Sequence, residues 1–149
     1  MEHVQIPTNA LVLVSDGRRA RLLRNQGSPR NPELVMEQAI DHINPPTREQ
    51  GSDKPGRRQG GRGEGAPRGA IEQTDWHELE EKRFAAELAD ILYKLGHAGR
   101  YDDLVVVAPP KMLGDLRAKF HQEVSDAIIA EVPRDLTNYS VPEIGKLLS

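Results

Sequence analysis

Two short apolar blocks near the N-terminus are joined by a turn signal. Residues 10–14 are almost entirely apolar, and beyond the turn arginine alternates with Ala20 and Leu22. The dipeptide Asp16-Gly17 between the blocks is typical of a β-hairpin, because it supplies the positive φ values of a type I′ turn. The pattern therefore predicts a central first strand and a half-exposed second strand nearer an edge of the sheet.

A third apolar block, residues 33–40, fits either a strand or a helix. We favour a third strand, because Pro32 precedes the block and Pro45-Pro46 follow it closely.

Apolar residues then recur at the spacing of a long helix. They are Phe84, Leu88, Ile91, Leu92 and Leu95. Asp75 is the expected N-cap, because Glu78 stands three residues later in a capping box, and Gly96 is the expected end. The charged residues that precede the apolar face are predicted to form solvated first turns. They are Glu78, Glu80, Glu81, Lys82 and Arg83.

The C-terminal third alternates between strand and helix patterns. Residues 103–108 predict a buried strand, Pro109-Pro110 open a second helix, residues 128–132 predict a last strand, and Ser140 caps a closing helix. The inward residues of the two helices are Met112, Leu113, Leu116, Phe120, Ile144, Leu147 and Leu148. Such alternation predicts a single α/β domain over residues 1–149, with a mixed five-stranded sheet flanked by helices and right-handed crossovers.

Composition singles out residues 45–73 as a stretch that cannot join this core. Eleven of its 29 residues are Gly or Pro, and only three are apolar. Within it, five cations against Glu64 give residues 54–68 a net charge of +4, whereas the whole chain carries −3. We therefore expect a Gly/Arg/Pro-rich loop inserted at about 45–73 in an otherwise acidic domain.

Several classes of protein are excluded. No apolar run approaches the length of a transmembrane helix, and residues 1–5 do not begin a secretion signal, so we expect a cytoplasmic protein without membrane contact. The absence of Cys removes disulfides, thiolate catalysis and Cys-ligated zinc. A pI near 6.0 argues against a protein that coats nucleic acid with its whole surface.

The loop itself is suited to phosphate. Glycine lets backbone N–H groups approach an anion closely, and arginine offers two parallel donors to phosphate. The predicted phosphate- or RNA-binding residues are Lys54, Arg57, Arg58, Arg62 and Arg68. A flexible solvated linker is the alternative interpretation. The loop has no P-loop sequence and no aromatic residue, which disfavours sequence-specific recognition of single strands.

Other candidate chemistry is weaker. The five histidines (His3, His42, His77, His97 and His121) share no metal-ligand spacing, so we expect neither metal nor cofactor. A metal-dependent nuclease would need carboxylates gathered from predicted strand ends. The candidates for that gathering are Asp16, Glu37, Asp41, Asp102 and Asp103. Trp76, beside the predicted helix start, is interpreted as a packing contact rather than a partner anchor.

Five stretches together resemble the bacterial "protein required for attachment to host cells" family. They are VSDGRRARL (14–22), GSDKPGR (51–57), EEKRFAAEL (80–88), APPKMLGDLR (108–117) and DLT (135–137). That family is in turn similar to the middle domain of archaeal and eukaryotic peptide-chain release factors, which implies an RNase-H-like α/β fold.

The resemblance also implies a function for the loop. In release factors a basic Gly-Gly-Gln loop before a long helix enters the peptidyl transferase centre, and residues 57–62 occupy that place here. Arg62 stands where release factors have Gln, so the resemblance favours binding of ribosome or structured RNA such as tRNA over peptidyl-tRNA ester hydrolysis. Gln59, Gly60 and Gly61 are the candidate catalytic residues for the hydrolysis. The alternative is a non-enzymatic protein-interaction or regulatory module that acts indirectly in attachment.

Overall fold

The sheet is built around β1 (Leu11–Ser15), all five residues of which are buried. The computed structural model describes residues 5–41 and 62–148, and within 62–76 it describes only the course of the backbone. The elements that follow β1 are β2 (Arg19–Asn25), β3 (Leu34–Asp41), α1 (Arg62–His97), β4 (Leu104–Val107), α2 (Pro110–Lys119), α3 (Gln122–Ala127), β5 (Ile128–Val132) and α4 (Val141–Leu148).

The five strands form one mixed sheet in the order β3-β2-β1-β4-β5. β1 pairs antiparallel with β2 and parallel with β4, so that Leu11 lies opposite Arg24 on one side and Leu104 on the other. β3 is antiparallel to β2, and β5 is parallel to β4. The predicted α/β class, the third strand and the central position of the first strand are therefore confirmed.

Apolar side chains cover both faces of the sheet. On one face Leu13, Leu22 and Val106 pack beneath α1, α2 and α3, with Phe84 and Met112 among the buried helix residues. On the other face, the strand residues pack against α4, against residues that precede β1 and against residues that follow β5. That second cluster includes Ile6, Val12, Leu23, Val105, Leu136, Ile144 and Leu148.

The start of α1 differs from the prediction. The helix begins at Arg62, so Asp75 is not its N-cap, and its 36 residues span about 54 Å. It takes in residues 62–73 of the segment predicted as loop, while residues 45–61 lie outside the described residues. Glycines and Pro67 in this part weaken the helix signal in the sequence. Helix formation is cooperative, however, so a strong helix can extend through weak formers.

The prediction of solvated residues here is confirmed for Glu78, Lys82 and Arg83, which are exposed, and is wrong for Glu80. Glu80 is buried, with only 8% of its surface exposed, and its carboxylate lies 3.3 Å from the guanidinium of Arg83. The side chain of Glu81 packs on the turn after β1. Glu80 and Arg83 pair at the i,i+3 spacing of the helix, whereas the local sequence around Glu81 carries no sign of its contact with a distant segment.

The predicted type I′ turn is wrong. Among the described residues only Asn9 and Gly99 have positive φ, so neither central residue of the turn, Gly17 or Arg18, adopts the left-handed conformation. The carboxylate of Asp16 closes the turn instead, by accepting the backbone N–H groups of Arg18 and Arg19 at 2.7 and 2.6 Å. Asp16 therefore supplies by its side chain what the prediction assigned to backbone conformation.

The C-terminal elements agree better with the sequence. Met112, Leu113 and Leu116 are buried on α2, and Ile144 and Leu148 on α4. The predicted cap of α4 is confirmed, because Glu143 Oε1 accepts the Ser140 N–H at 2.9 Å and Ser140 Oγ accepts the Glu143 N–H at 3.3 Å. The short helix α3 was not predicted. No helix in the described residues is both long and apolar enough to cross a membrane.

We expect Phe84→Ala to destabilise the fold by about 3–5 kcal/mol, because its fully buried ring joins α1 to the sheet. Leu79→Ala on the same helix is the control, since Leu79 is 43% exposed and its loss should cost about 0.5 kcal/mol. Urea denaturation followed by circular dichroism measures both. Equal losses for the two variants would contradict the described packing of α1.

Candidate nucleic-acid interface

The structure describes few of the residues predicted to bind phosphate. Lys54, Arg57 and Arg58 lie outside the described residues, as do the candidate catalytic residues Gln59, Gly60 and Gly61. Arg62 and Arg68 belong to the first turns of α1, where only the backbone is described. The geometry that bears on the site is therefore that of the elements flanking residues 42–61.

Both flanking elements lead to the same edge of the sheet. β3 ends at Asp41, which lies opposite Arg19, directly beside the turn that follows β1. On α1, Glu81 contacts Gly17 in that turn, whereas Leu92 contacts Tyr101 just before β4. α1 therefore runs antiparallel to β1, with its N-terminal part directed towards the carboxyl end of β1. In open α/β sheets this end of the parallel strands is where ligands bind.

Asp16 is the centre of a hydrogen-bond network at this edge. Its Oδ1 holds the turn, and its Oδ2 accepts the hydroxyl of Thr137 at 3.1 Å. Thr137 follows β5 and is only 8% exposed, and its hydroxyl also lies 2.6 Å from Asp135 Oδ1. The network therefore ties the β1–β2 turn to the chain after β5.

The electrostatics of this network favour the ionised form of Asp16. Burial raises the pKa of Asp16, but the N–H groups of Arg18 and Arg19, the Thr137 hydroxyl and the charge of Arg19 outweigh it. The net result is a pKa below the usual value for an aspartate.

Two arginines of β2 also bond to the segment that follows β5. Arg21 donates from its Nη2 to the carbonyl oxygens of Thr137 at 2.6 Å and Tyr139 at 2.7 Å. Arg19 donates to Asn138 Oδ1 at 3.0 Å and lies 3.6 Å from Asp16 Oδ2. The alternation of arginine along β2, interpreted from the sequence as half-exposure, thus places guanidinium groups over the segment after β5.

α1 and α2 reach the edge through a chain of opposite charges. Lys111 Nζ lies 3.2 Å from Glu78 and 3.6 Å from Glu81, and hydrogen bonding to Glu78 is the main reason that the pKa of Lys111 is raised. Glu81 in turn lies against Gly17, where an added Cβ would stand 2.6 Å from its Oε2. The small residue at position 17 thus admits the close approach of α1.

The stretches that carried the family resemblance converge at this edge. Asp16, Glu81, Lys111 and Thr137 come from four of the five stretches, and all four take part in the contacts just described. The fifth stretch, residues 51–57, lies in the connection between β3 and α1. Sequence spacing alone could not bring these residues together, because they are separated by up to 121 positions.

The edge holds cations that its carboxylates do not fully neutralise. Arg18, at the tip of the turn, is exposed and its side chain has no hydrogen bond or ion pair among the described residues. The side chain of Arg19 is 54% exposed beside its acidic partner. The guanidinium of Arg18 and the exposed side of Arg19 are able to bind phosphate, whereas the guanidinium of Arg21 is engaged with the carbonyl oxygens of Thr137 and Tyr139.

The carboxylates named for a nuclease site do not all lie at one end of the sheet. Asp103 lies at the opposite end of β1, where its carbonyl accepts the Leu11 N–H, and Glu37 is held by Arg24 at 3.0 Å. Within residues 5–41 and the described side chains of 77–148, no three metal-binding groups come together. His3, His42 and the Trp76 side chain lie outside the described part of the chain.

Fold and edge together define an α/β protein in which a basic crossover segment leaves the sheet at the carboxyl end of its parallel strands. The chain belongs to the bacterial archaeo-eukaryotic release factor family 12, whose model matches residues 9–148. The expected likeness to release factors is thus confirmed at the level of the family. The host-attachment name is not the description of the family that matches.

Comparison with solved structures gives a distant likeness. The crystal structure of the archaeal translation termination factor aRF1 aligns with a TM-score of 0.43 and 11% sequence identity. The alignment covers 82% of this chain and 29% of the archaeal chain, so this protein spans less than a third of that factor's length. No curated protein matched the sequence.

We expect Asp16→Ala to lower the free energy of unfolding by about 2 kcal/mol at pH 7, because three donors lose a charged acceptor. The pKa of Asp16 is lowered by folding, so its stabilisation is complete above the unfolded value of about 3.9. It is lost as the pH falls through the folded value, and the difference between variant and parent should shrink at pH 3.

Urea denaturation at the two pH values measures this effect. Asp102→Ala is the matched control, since Asp102 is exposed and its side chain makes no hydrogen bond or ion pair among the described residues. A loss for Asp16→Ala that is the same at pH 7 and pH 3 would contradict the stabilising role of the ionised carboxylate.

Proposed function

We propose that this protein is a cytoplasmic release-factor-like factor that binds the ribosome or structured RNA such as tRNA through residues 54–68. The observation that carries the proposal is a concentration of charge. These residues hold a net +4 on a chain whose total is −3, so the remainder carries −7. Membership of a release-factor family supports a partner in translation.

The distribution of charge determines which side of the protein faces the RNA in the proposed complex. An RNA surface attracts the basic segment and repels the acidic remainder, so the protein approaches with the segment first. The segment is joined to the sheet at the edge that carries Arg18 and Arg19, which add two guanidinium groups to the same side. Lys54, Arg57, Arg58, Arg62 and Arg68 contact phosphates in this proposal.

About four phosphate contacts predict a steep dependence of affinity on salt. The logarithm of the association constant should fall with the logarithm of salt concentration with a slope of about −3 to −4. Fluorescence anisotropy with labelled protein, titrated with purified ribosomes and with tRNA, gives this slope. The two ligands separate binding to the ribosome from binding to structured RNA in general.

Substitution of three of the arginines identifies the surface that binds. In Arg57→Ala/Arg58→Ala/Arg62→Ala the slope should become shallower by about 2 to 3. The control is Arg30→Ala/Arg100→Ala/Lys119→Ala, which removes the same charge from exposed positions elsewhere. Binding that is insensitive to salt, or equally weakened in both triple variants, would refute the proposed interface.

Hydrolysis of the peptidyl-tRNA ester is a separate activity, for which Gln59, Gly60 and Gly61 are the candidate catalytic residues. Release factors carry Gln after the glycine pair, whereas this chain has Arg62 there. We therefore expect Gly60→Ala/Gly61→Ala to leave the rate of peptide release from peptidyl-tRNA on ribosomes unchanged from that of the parent protein. The parent's own rate over a no-protein control is measured in parallel, and a loss of release in the variant would assign catalysis to these residues.

An interaction module that acts on a protein partner, with an indirect effect on attachment, is the competing function. This function predicts that a pull-down with the protein is dominated by one non-ribosomal partner, and that nuclease treatment does not change the amount of partner captured. That result, together with no ribosome or tRNA binding at low salt, would replace the present proposal.

A further inference from the structure

A cavity of about 260 Å³ lies between the C-terminal end of α1 and the short helix α3. Tyr93, His97, Tyr101 and Glu123 contribute to its lining. It is at the opposite end of the sheet from the Asp16 turn, because Tyr101 precedes β4 and contacts the last turns of α1. The cavity is therefore separate from the proposed RNA-binding surface.

Aromatic rings form fixed walls of this cavity. The ring of Tyr93 stacks on that of His121 at a centroid distance of 4.2 Å and on that of His97 at 5.7 Å. Tyr101 is buried and donates its hydroxyl to the carbonyl of Leu92 at 2.8 Å. At Gly96 an added Cβ would stand 3.0 Å from that hydroxyl, so α1 and the Tyr101 ring are in close contact.

A carboxylate without a partner stands at the same place. Glu123 makes no side-chain hydrogen bond or ion pair among the described residues. Burial, with the nearby charge of Glu123, raises the pKa of Tyr101 to about 12. Of the neighbouring cations on α1, Lys94 is paired with Asp90 at 3.1 Å. The negative charge of Glu123 is therefore left beside tyrosine rings.

We propose that this cavity binds an organic cation, a primary ammonium or guanidinium group on a short alkyl chain. The Glu123 carboxylate can accept a charge-assisted hydrogen bond from such a cation, and the alkyl chain can pack on the aromatic lining of the cavity. The volume accommodates a head group and a few methylenes and is below that of common drug-sized pockets. Such a group belongs either to a free amine or to a lysine or arginine side chain of another molecule.

Matched small probes test the chemistry. Titration of the full chain with n-butylammonium, followed by NMR, should give saturable shifts of the Tyr93 and Tyr101 ring signals. The neutral analogue 1-butanol should bind at least about tenfold more weakly, because it offers no charge to Glu123. Putrescine and Nα-acetyl-lysine methylamide then distinguish a free diamine from a side chain as the preferred source.

The variant Glu123→Gln keeps the size and shape of this exposed side chain and removes its negative charge. It should weaken n-butylammonium binding about tenfold, whereas Glu33→Gln, on an exposed loop before β3, should leave it unchanged. Equal binding of n-butylammonium and 1-butanol, equal binding by Glu123→Gln and the parent, or shifts that do not saturate would each overturn the proposal. Salt-dependent RNA binding should be the same in Glu123→Gln and the parent, so failure here is distinct from failure of the proposed function.

Discussion

The complete burial of β1 is the constraint on which the rest of the structure depends. Its five residues carry apolar side chains to both faces of the sheet, apart from Ser15 at the end. Both faces must therefore be covered, by α1, α2 and α3 on one side and by α4 with its preceding chain on the other. β3, the strand that precedes residues 42–61 in the chain, lies at an edge of the sheet.

At that edge the charges divide into two groups by function. Asp16, Arg21 and Lys111 are engaged with groups from distant segments, and they hold the β1–β2 turn, the chain after β5 and the two large helices together. Arg18 and the exposed side of Arg19 remain accessible beside the connection to the basic segment. The engaged charges build a rigid base, and the accessible charges agree in sign with the segment that we propose binds RNA.

Local sequence signals predicted the elements, and contacts between distant residues decided what they missed. The apolar runs of β1 and β4 and the capping box at Ser140 depend on near neighbours, so the sequence revealed them. The closure of the β1–β2 turn depends on the Asp16 side chain, which also accepts from Thr137, 121 residues away. The convergence of Glu81, Lys111 and Gly17 likewise follows from the packing of three elements, and no spacing in the sequence encodes it.

In the proposed function, the basic segment of residues 54–68 attaches this protein to ribosomes electrostatically. Sedimentation of ribosomes from a lysate of cells that produce the protein tests it most directly. We expect the protein to pellet with ribosomes at about 50 mM salt and to move to the supernatant at about 500 mM salt. Protein that stays in the supernatant at low salt, or that pellets equally at both concentrations and after nuclease digestion of the ribosomes, would contradict the claim.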